Sequence, residues 1–266
     1  MLMDLNLFTA ALLGIVEGLT EFLPVSSTGH LVLASQLLNV PQNDFVKTFE
    51  IAIQLGAILS VVVLYWRSFF LNLRILKRLI AAFIPTGIVG FAFYRVFKEL
   101  LLGNTMIVLV SLFLGGVFMI SFEKLYPKKE KIEMLERIPY KYCVAIGIFQ
   151  SVSIIPGVSR AAPTILGGLA LGLKKKAIVE FSFLLAVPTF LAATGYDLLQ
   201  SAGEFSLAQL DLLAVGFIAA FAVAVLAIRT FLNYIKKHDF TVFGIYRIVV
   251  PLLFAVLILG GTIGIL

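Results

Sequence analysis

The sequence predicts an all-α polytopic membrane protein: six transmembrane helices plus two re-entrant helical hairpins, related as an inverted-topology repeat. Three observations lead there. Of 266 residues, 61% are hydrophobic and 14% charged, with a mean hydropathy of +1.05. Soluble domains lie nearer half apolar and a quarter charged. Several apolar runs reach the roughly 20 residues needed to cross a hydrocarbon core. Two of them, 5–38 and 142–173, hold a proline near the middle and carry ionisable side chains, which are costly at membrane depth unless paired or wetted.

Residues 5–38 carry Glu17, Glu21 and His30 and are interrupted at Pro24. One straight helix of that length would measure about 50 Å, against a core of about 30 Å. Proline removes a ladder donor, and Ser26-Ser27-Thr28-Gly29 after it is cap and turn chemistry. The run is therefore expected to enter as one half-helix, turn near the midplane and leave as another. Such irregular backbone is tolerated only where it lines a cavity or is buried in protein. A polar loop at 39–47 precedes spans at 48–66, 79–97 and 104–122, with a basic connection before the second. The second long run breaks at Pro156-Gly157, carries Arg160 and closes at Lys174-Lys175-Lys176; spans at 178–199, 207–232 and 240–262 follow. The chain thus divides into a first repeat (1–122), a charged cytoplasmic connection (123–141) and a second repeat (142–266) within one membrane domain.

Gly14-Ile15-Val16-Glu17 matches Gly147-Ile148-Phe149-Gln150. After a one-residue slip, Pro24 and Ser27 align with Pro156 and Ser159, and Phe49 with Phe181. Three crossings per half is odd, so the halves must face opposite ways. Sixteen of the 21 Lys/Arg fall at 67–78, 124–141, 174–176 and 229–237, while the opposite loops hold Lys47, Arg95 and Lys98. Positive charge collects on the cytoplasmic side, which places both termini outside. The net charge of +6 accordingly reports topology, and no nucleic-acid partner is expected. The first charge is Asp4, so no basic region marks a cleaved signal peptide. The single cysteine, Cys143, reads as a small buried apolar residue.

Glu17 and Glu21 are four apart and share a helix face. Two carboxylates at that spacing need a proton, a divalent metal or an arginine; the bland alternative is a glutamate pair at a wet helix end. Ser26, Ser27 and Thr28 lead the second half-helix, so their N–H groups form a ready anion site. His30 lies one turn past Ser27, within reach for a hydroxyl–imidazole hydrogen bond, the minimum of an activated nucleophile, or else it is a satisfied buried histidine. In the second hairpin Arg160, with Ser159 and Thr164, offers a forked cation at a helix start, which phosphate oxygens favour; a purely structural pair with Glu17 or Glu21 is its alternative. Gln54 and Glu50 share a face of the first span, and Tyr246-Arg247 sit in the last; Glu50 and Arg247 read equally as site residues or as structural ion pairs. No nucleotide-binding glycine loop, Cys/His metal array or Ser-His-Asp order occurs.

The segment from Glu17-Gly18-Leu19-Thr20-Glu21 to Ser26-Ser27-Thr28-Gly29-His30 resembles the acidic motif and following serine–histidine segment of the undecaprenyl-diphosphate phosphatase family, the BacA-type bacitracin-resistance proteins. Pro156-Gly157-Val158-Ser159-Arg160 resembles that family's second motif, and Phe181-Ser182-Phe183-Leu184-Leu185-Ala186-Val187-Pro188 also fits. Ala161-Ala162-Pro163 departs from the serine-containing continuation usual there. The resemblance covers nearly the whole chain. It implies hydrolysis of undecaprenyl diphosphate to undecaprenyl phosphate and inorganic phosphate, recycling the cell-wall carrier lipid. It also implies a divalent cation (Mg²⁺ or Ca²⁺), a place in the bacterial inner membrane, and a site toward the outer face.

The expected chemistry is phosphoryl transfer. Glu17 and Glu21 hold the metal, Arg160 and hairpin N–H groups neutralise phosphate oxygens, and Ser27, deprotonated by His30, attacks the terminal phosphorus; His30 or water as nucleophile is the competing version. Ser26, Thr28, Ser159, Thr164 and Gln54 complete the substrate contacts. The expected partners are a polyprenyl diphosphate lipid and the bilayer, and the sequence is compatible with a homo-oligomer. A different functional class, a lipid-phosphate flippase, would use the same repeat.

Overall fold

The computed structural model describes residues 5–41, 43–96, 104–126, 131–200 and 209–261. Within them the chain forms eleven α-helices: α1 (Leu7–Thr20), α2 (Ser27–Leu37), α3 (Asp44–Leu64), α4 (Trp66–Phe70), α5 (Leu73–Val96), α6 (Thr105–Leu125), α7 (Tyr140–Ser151), α8 (Ala161–Ala170), α9 (Lys175–Gln200), α10 (Leu210–Tyr234) and α11 (Thr241–Leu259). Among the described residues, β-pairing is confined to one bridge, between Ile132 and Leu173.

Six helices, α3, α5, α6, α9, α10 and α11, are long and apolar enough to cross a membrane. The protein is an all-α, multi-pass membrane protein. The four helices flanking the two prolines hold 14, 11, 12 and 10 residues. At about 1.5 Å per residue none reaches across a core of about 30 Å. Both long runs are thus helix–break–helix, with breaks at 21–26 and 152–160.

Asparagine starts several of these helices. Asn6 accepts from Thr9 N in a reciprocal capping box, Asn43 accepts from Val46 N at 2.9 Å, and Asn104 from Ile107 N at 3.1 Å. Each satisfies an orphan donor of a first turn. Asn72 does the same for Arg74 and Ile75, which moves a boundary. The expected connection at 67–78 is mostly helical, occupied by α4 and the first turns of α5, because the cap lets helix begin ahead of the apolar run. The charged segment after α6 is docked as well. Lys131 N and Ile132 N donate to Gly172 O, and Lys174 N donates back to Ile132 O at 2.8 Å. Arg78 Nε donates to Ile138 O at 2.7 Å. Lys98, Lys128 and Lys129, counted in the charge argument, lie outside the described residues.

The short helices reach across the molecule. α1 lies along α10, and α7 lies along α5; α3 packs on both α10 and α9, and α6 pairs with α11. Glycines set these crossings. A Cβ on Gly147 would collide with the Ala82 carbonyl of α5, and one on Gly14 with the Gly216 carbonyl of α10. Gly116 of α6 and Gly244 of α11 bring those two backbones together in the same way. Between the helices lies an aromatic core in which Phe22 meets Phe183 edge-on at 5.3 Å and Phe183 meets Phe231 at 6.1 Å.

Candidate active site

Both breaks turn through the same unusual backbone. Ser26 has φ 73° and Ser159 φ 76°, a left-handed region that non-glycine residues seldom occupy and that clusters at functional sites. Each serine then caps the helix it precedes. Ser26 Oγ accepts from Gly29 N at 3.3 Å, and Ser159 Oγ from Ala162 N at 3.4 Å. The equivalence between the halves is therefore Ser26 with Ser159 and Ser27 with Arg160, one residue away from the alignment of Ser27 with Ser159 expected above. Gly157, in the second break, has φ 87°, and a Cβ there would lie 2.6 Å from Val108 O.

The two equivalent positions converge on one side chain. Ser27 Oγ donates to Glu21 Oε2 at 2.6 Å, and Arg160 Nη2 donates to Glu21 Oε1 at 2.8 Å. Glu21 thus bridges the starts of α2 and α8 with both carboxylate oxygens. Arg160 is held from its far side by Ser182, whose carbonyl and Oγ accept from Nη1 at 2.8 and 3.0 Å. The Phe22 ring supports the guanidinium at 5.9 Å. Arg160 Nε, buried, has no protein acceptor. The guanidinium is aimed and still holds a free donor.

A cavity of about 430 Å³ opens beside this pair. Its polar wall carries Glu21, Ser26, Ser27, Thr28, Ser159 and Arg160; the rest is largely apolar and comes from α5, α9 and the second break. Four expected site residues do not line it. Thr164 is fully buried and donates to Arg160 O at 2.7 Å, with Gln150 Oε1 3.4 Å away; it braces the arginine's backbone and does not line the cavity. Gln54 sits on α3 away from the cavity. His30 Nδ1 faces Ser26 O at 2.7 Å and Nε2 faces Tyr246 OH at 2.7 Å. The carbonyl acceptor makes Nδ1 the N–H nitrogen, which leaves Nε2 to accept from the tyrosine. The expected Ser27–His30 hydrogen bond is not formed: the serine proton goes to Glu21, and the imidazole pins the strained Ser26 carbonyl.

Glu17 lies one turn below Glu21, with no solvent exposure and no donor on either carboxylate oxygen. The Glu21 and Glu50 carboxylates and the Arg160 guanidinium are its charged neighbours. Gln150, its counterpart in the other half, is by contrast satisfied: its Nε2 donates to Thr86 and Thr189, each at 3.1 Å. Carboxylates packed together in a sealed interior need a cation or a shared proton. Among the described residues no cluster of three or more His, Cys, Asp or Glu could hold a metal by itself. The two oxygens of Glu17, without a donor, fit an ion of the magnesium type, which binds one or two carboxylates and takes its other ligands from water and substrate phosphate. Glu17 is the carboxylate available for it, since both oxygens of Glu21 are engaged.

Arg247 is the residue whose part sequence reasoning left undecided between a site and an ion pair. It has no solvent exposure, and its partners are carbonyls. Nη1 donates to Pro24 O at 3.1 Å and Val158 O at 2.9 Å; Nη2 donates to Gly157 O at 2.9 Å and Ser111 O at 3.2 Å; Nε donates to Leu112 O at 3.4 Å. All five guanidinium hydrogens are used to tie both breaks to α6. Ser182 carries no signal in the sequence for its tie to Arg160 beyond a hydroxyl in an apolar stretch of α9.

A family model described as bacitracin resistance protein BacA matches residues 10–253. The chain belongs to the BacA family. Curated relatives named undecaprenyl-diphosphatase include those of Aquifex aeolicus, 49% identical over 92% of this chain and 96% of that protein, and Wolinella succinogenes, 50% identical over 94% and 97%. The protein of the same name from Persephonella marina is 48% identical over 96% of this chain and all of its own length. The BacA match takes in both breaks, Glu21, Ser27 and Arg160, and Arg247.

Proposed function

We propose that this protein hydrolyses undecaprenyl diphosphate to undecaprenyl phosphate and inorganic phosphate, recycling the carrier lipid of cell-wall synthesis. The observation that carries the reading is Glu21, which joins a hydroxyl from one half and a guanidinium from the other at the wall of a single cavity. Membership of the BacA family and the names of its relatives give the substrate.

The geometry supports the following steps. The terminal phosphate lies against the starts of α2 and α8, where backbone N–H groups and the free Arg160 Nε–H meet its oxygens. As Arg160 turns part of its charge to the phosphate, Glu21 is left as a stronger base for the Ser27 proton. Ser27 Oγ attacks the terminal phosphorus as that proton passes to Glu21. The bond from phosphorus to the bridging oxygen breaks, and undecaprenyl phosphate leaves with the electron pair. Glu21 passes that proton to the leaving phosphate. Water then attacks the phosphoserine as Glu21, a carboxylate again, takes its proton, and the phosphorus–Oγ bond breaks. Ser27 Oγ recovers the proton from Glu21, and inorganic phosphate departs. Glu17 would hold a divalent cation, which would supply positive charge against the diphosphate. Fixed charge around the phosphorus supplies the larger part of the acceleration. His30 acts by holding Ser26, with no proton to take from Ser27.

The two helix–break–helix units are read as re-entrant hairpins entering from opposite faces of an inverted repeat. The exchange of partners, α1 on α10 and α7 on α5, supports this reading. The cavity uses residues 83–91 of α5 and 189–193 of α9, the halves distal to the basic clusters at Arg74, Lys77, Arg78 and Lys174, Lys175, Lys176. With those clusters in the cytoplasm of a bacterial inner membrane, the site faces outward.

The test is phosphate release from undecaprenyl diphosphate by purified protein in detergent, where no second compartment exists for transport. Wild type releases phosphate and forms an acid-stable label on Ser27 during turnover; Ser27→Ala forms none. Lipid movement in liposomes without phosphate release in detergent would favour the flippase reading.

A further inference from the structure

The hydroxyls along the cavity wall are not equally free to bind. Ser26, Ser27, Thr28 and Ser159 sit at the starts of α2 and α8, in the site already described. Thr86 and Thr189 line the wall from α5 and α9, but their protons are spent. Thr86 Oγ1 donates to Gly147 O and Thr189 Oγ1 to Leu185 O, each at 2.8 Å. Gln150 Nε2 donates to both of these oxygens. What the two threonines offer the cavity is lone pairs, which repel a phosphate. Ser153 is different. It lines the cavity from the second break, is half-buried, and makes no hydrogen bond among the described residues.

The reason is local. Ser153 stands three residues past Gln150, as Thr20 stands three past Glu17 in the other half. α1 keeps α geometry through Thr20, whose Oγ1 donates back to Val16 O at 2.7 Å, a common resting place for a hydroxyl on a helix. α7 stops at Ser151 and tightens into a 3₁₀ turn at Val152–Ile154. There the Phe149 carbonyl, four residues behind Ser153, accepts from Val152 N, and the tighter turn carries the Ser153 side chain off the α-helical rows. α7 also lies in register along α5: a Cβ on Gly147 would collide with the Ala82 carbonyl, and Gln150 bonds to Thr86. One turn further along each helix come Ser153 and Gly90. Both line the cavity, and a Cβ on Gly90 would meet nothing within 4 Å. The wall beside Ser153 is therefore open.

We propose that Ser153 binds the phosphate that stays on the lipid, the one bridged to the phosphate being removed. The inference rests on the diphosphate reading above. With the terminal phosphate on the α2 and α8 starts and the Arg160 Nε–H, the inner phosphate needs a donor of its own. Outside those two starts, Ser153 is the hydroxyl of the wall with a proton to give. It shares the second break with Arg160, so one stretch of backbone grips both phosphates. As the bridging bond breaks, negative charge grows on the inner phosphate, and a hydrogen bond from Ser153 strengthens with it.

Binding in detergent tests it in the full-length protein, with inorganic phosphate at saturation so that the Arg160 end is occupied. Ser153→Ala should weaken binding of undecaprenyl phosphate about tenfold and leave binding of undecaprenol, the same chain without phosphate, unchanged. Ser153→Thr, which keeps the hydroxyl, should restore most of the loss. Ser151→Ala removes a hydroxyl that donates to Gly147 O at 3.0 Å and does not line the cavity; it should keep the wild-type affinity for both lipids. In turnover, kcat of Ser153→Ala should fall as well, because the contact strengthens as the bond breaks. An undecaprenyl phosphate affinity that Ser153→Ala leaves unchanged overturns the proposal, as does an equal loss for undecaprenol. A loss confined to inorganic phosphate also overturns it, since Ser153 would then serve the terminal position. Failure of the phosphatase reading looks different: wild type then releases no phosphate from undecaprenyl diphosphate, whereas these affinities need no turnover.

Discussion

At the scale of single residues, the site turns on which group takes the Ser27 proton. Helical spacing made His30 the natural partner, but a buried carbonyl at an unusual φ needs a donor, and the His30 Nδ1–H supplies it to Ser26 at 2.7 Å. Glu21 is then the base, at 2.6 Å from Ser27 Oγ. The two assignments differ in outcome. Glu21→Gln keeps the size and loses the charge, and should reduce kcat by about 10²–10⁴, the usual range for a general base; Ser27→Ala should do at least as much and abolish the phosphoserine label. Tyr246→Phe removes only the hydroxyl that meets His30 Nε2 at 2.7 Å. It should cost roughly 1 kcal/mol, about fivefold in kcat, with the label retained. A Tyr246→Phe loss as deep as that of Glu21→Gln would return His30 to the proton path. Phosphate-release kinetics on the three variants decide between them.

At the scale of helices, the glycines divide into two populations with opposite consequences. Gly147 lies where α7 presses on the Ala82 carbonyl of α5, so Gly147→Ala must push a backbone aside and should destabilise by about 1–3 kcal/mol. At Gly195 a methyl meets nothing within 4 Å, so Gly195→Ala should leave stability equal or raise it by up to roughly 1 kcal/mol through helix propensity. Denaturant unfolding in detergent, followed by helical circular dichroism, reads both. The helices themselves were largely legible from composition. Six spans and two broken runs follow from where apolar residues and prolines fall. Their ends were not, because Asn72 and Asn43 move starts ahead of the hydrophobic stretch, and a cap is one residue in a loop with no periodicity of its own.

At the scale of the whole molecule, two breaks 130 or so residues apart are made into one site by Arg247 as much as by Glu21. Its guanidinium satisfies carbonyls of Pro24, Gly157 and Val158. Arg247→Met, similar in bulk, leaves those acceptors buried and unpaired. It should destabilise by about 3–5 kcal/mol and lower kcat with it, since both helix starts lose their fixed distance. Arg247→Lys, with three hydrogens in place of five, should recover part of each. Thermal unfolding and turnover measured on the same preparations test the coupling; stability lost without any fall in kcat would show the breaks are aligned by other contacts. Removal of divalent cations is the companion measurement. Chelation should abolish turnover in wild type, with Mg²⁺ restoring it, and Glu17→Gln should raise the Mg²⁺ concentration needed by about 10-fold or more.

The sequence by itself determined the solvent, the spans, the two breaks and the chemical inventory of carboxylates, hydroxyls and forked cation. Those are local properties: apolar run length, a proline's missing donor, and the cost of a charge at membrane depth each act over a few residues. The tertiary structure decided the pairings. Arg160 meets a carboxylate 139 residues away, Ser27 meets the same carboxylate instead of the imidazole one turn on, and Arg247 meets carbonyls that belong to no particular residue type. Position in a motif or on a helix face marks Thr164 and Gln54 as substrate contacts, but neither lines the cavity. Partners of a buried polar group are chosen by which acceptors remain unsatisfied once the helices have packed, and that remainder exists only in three dimensions.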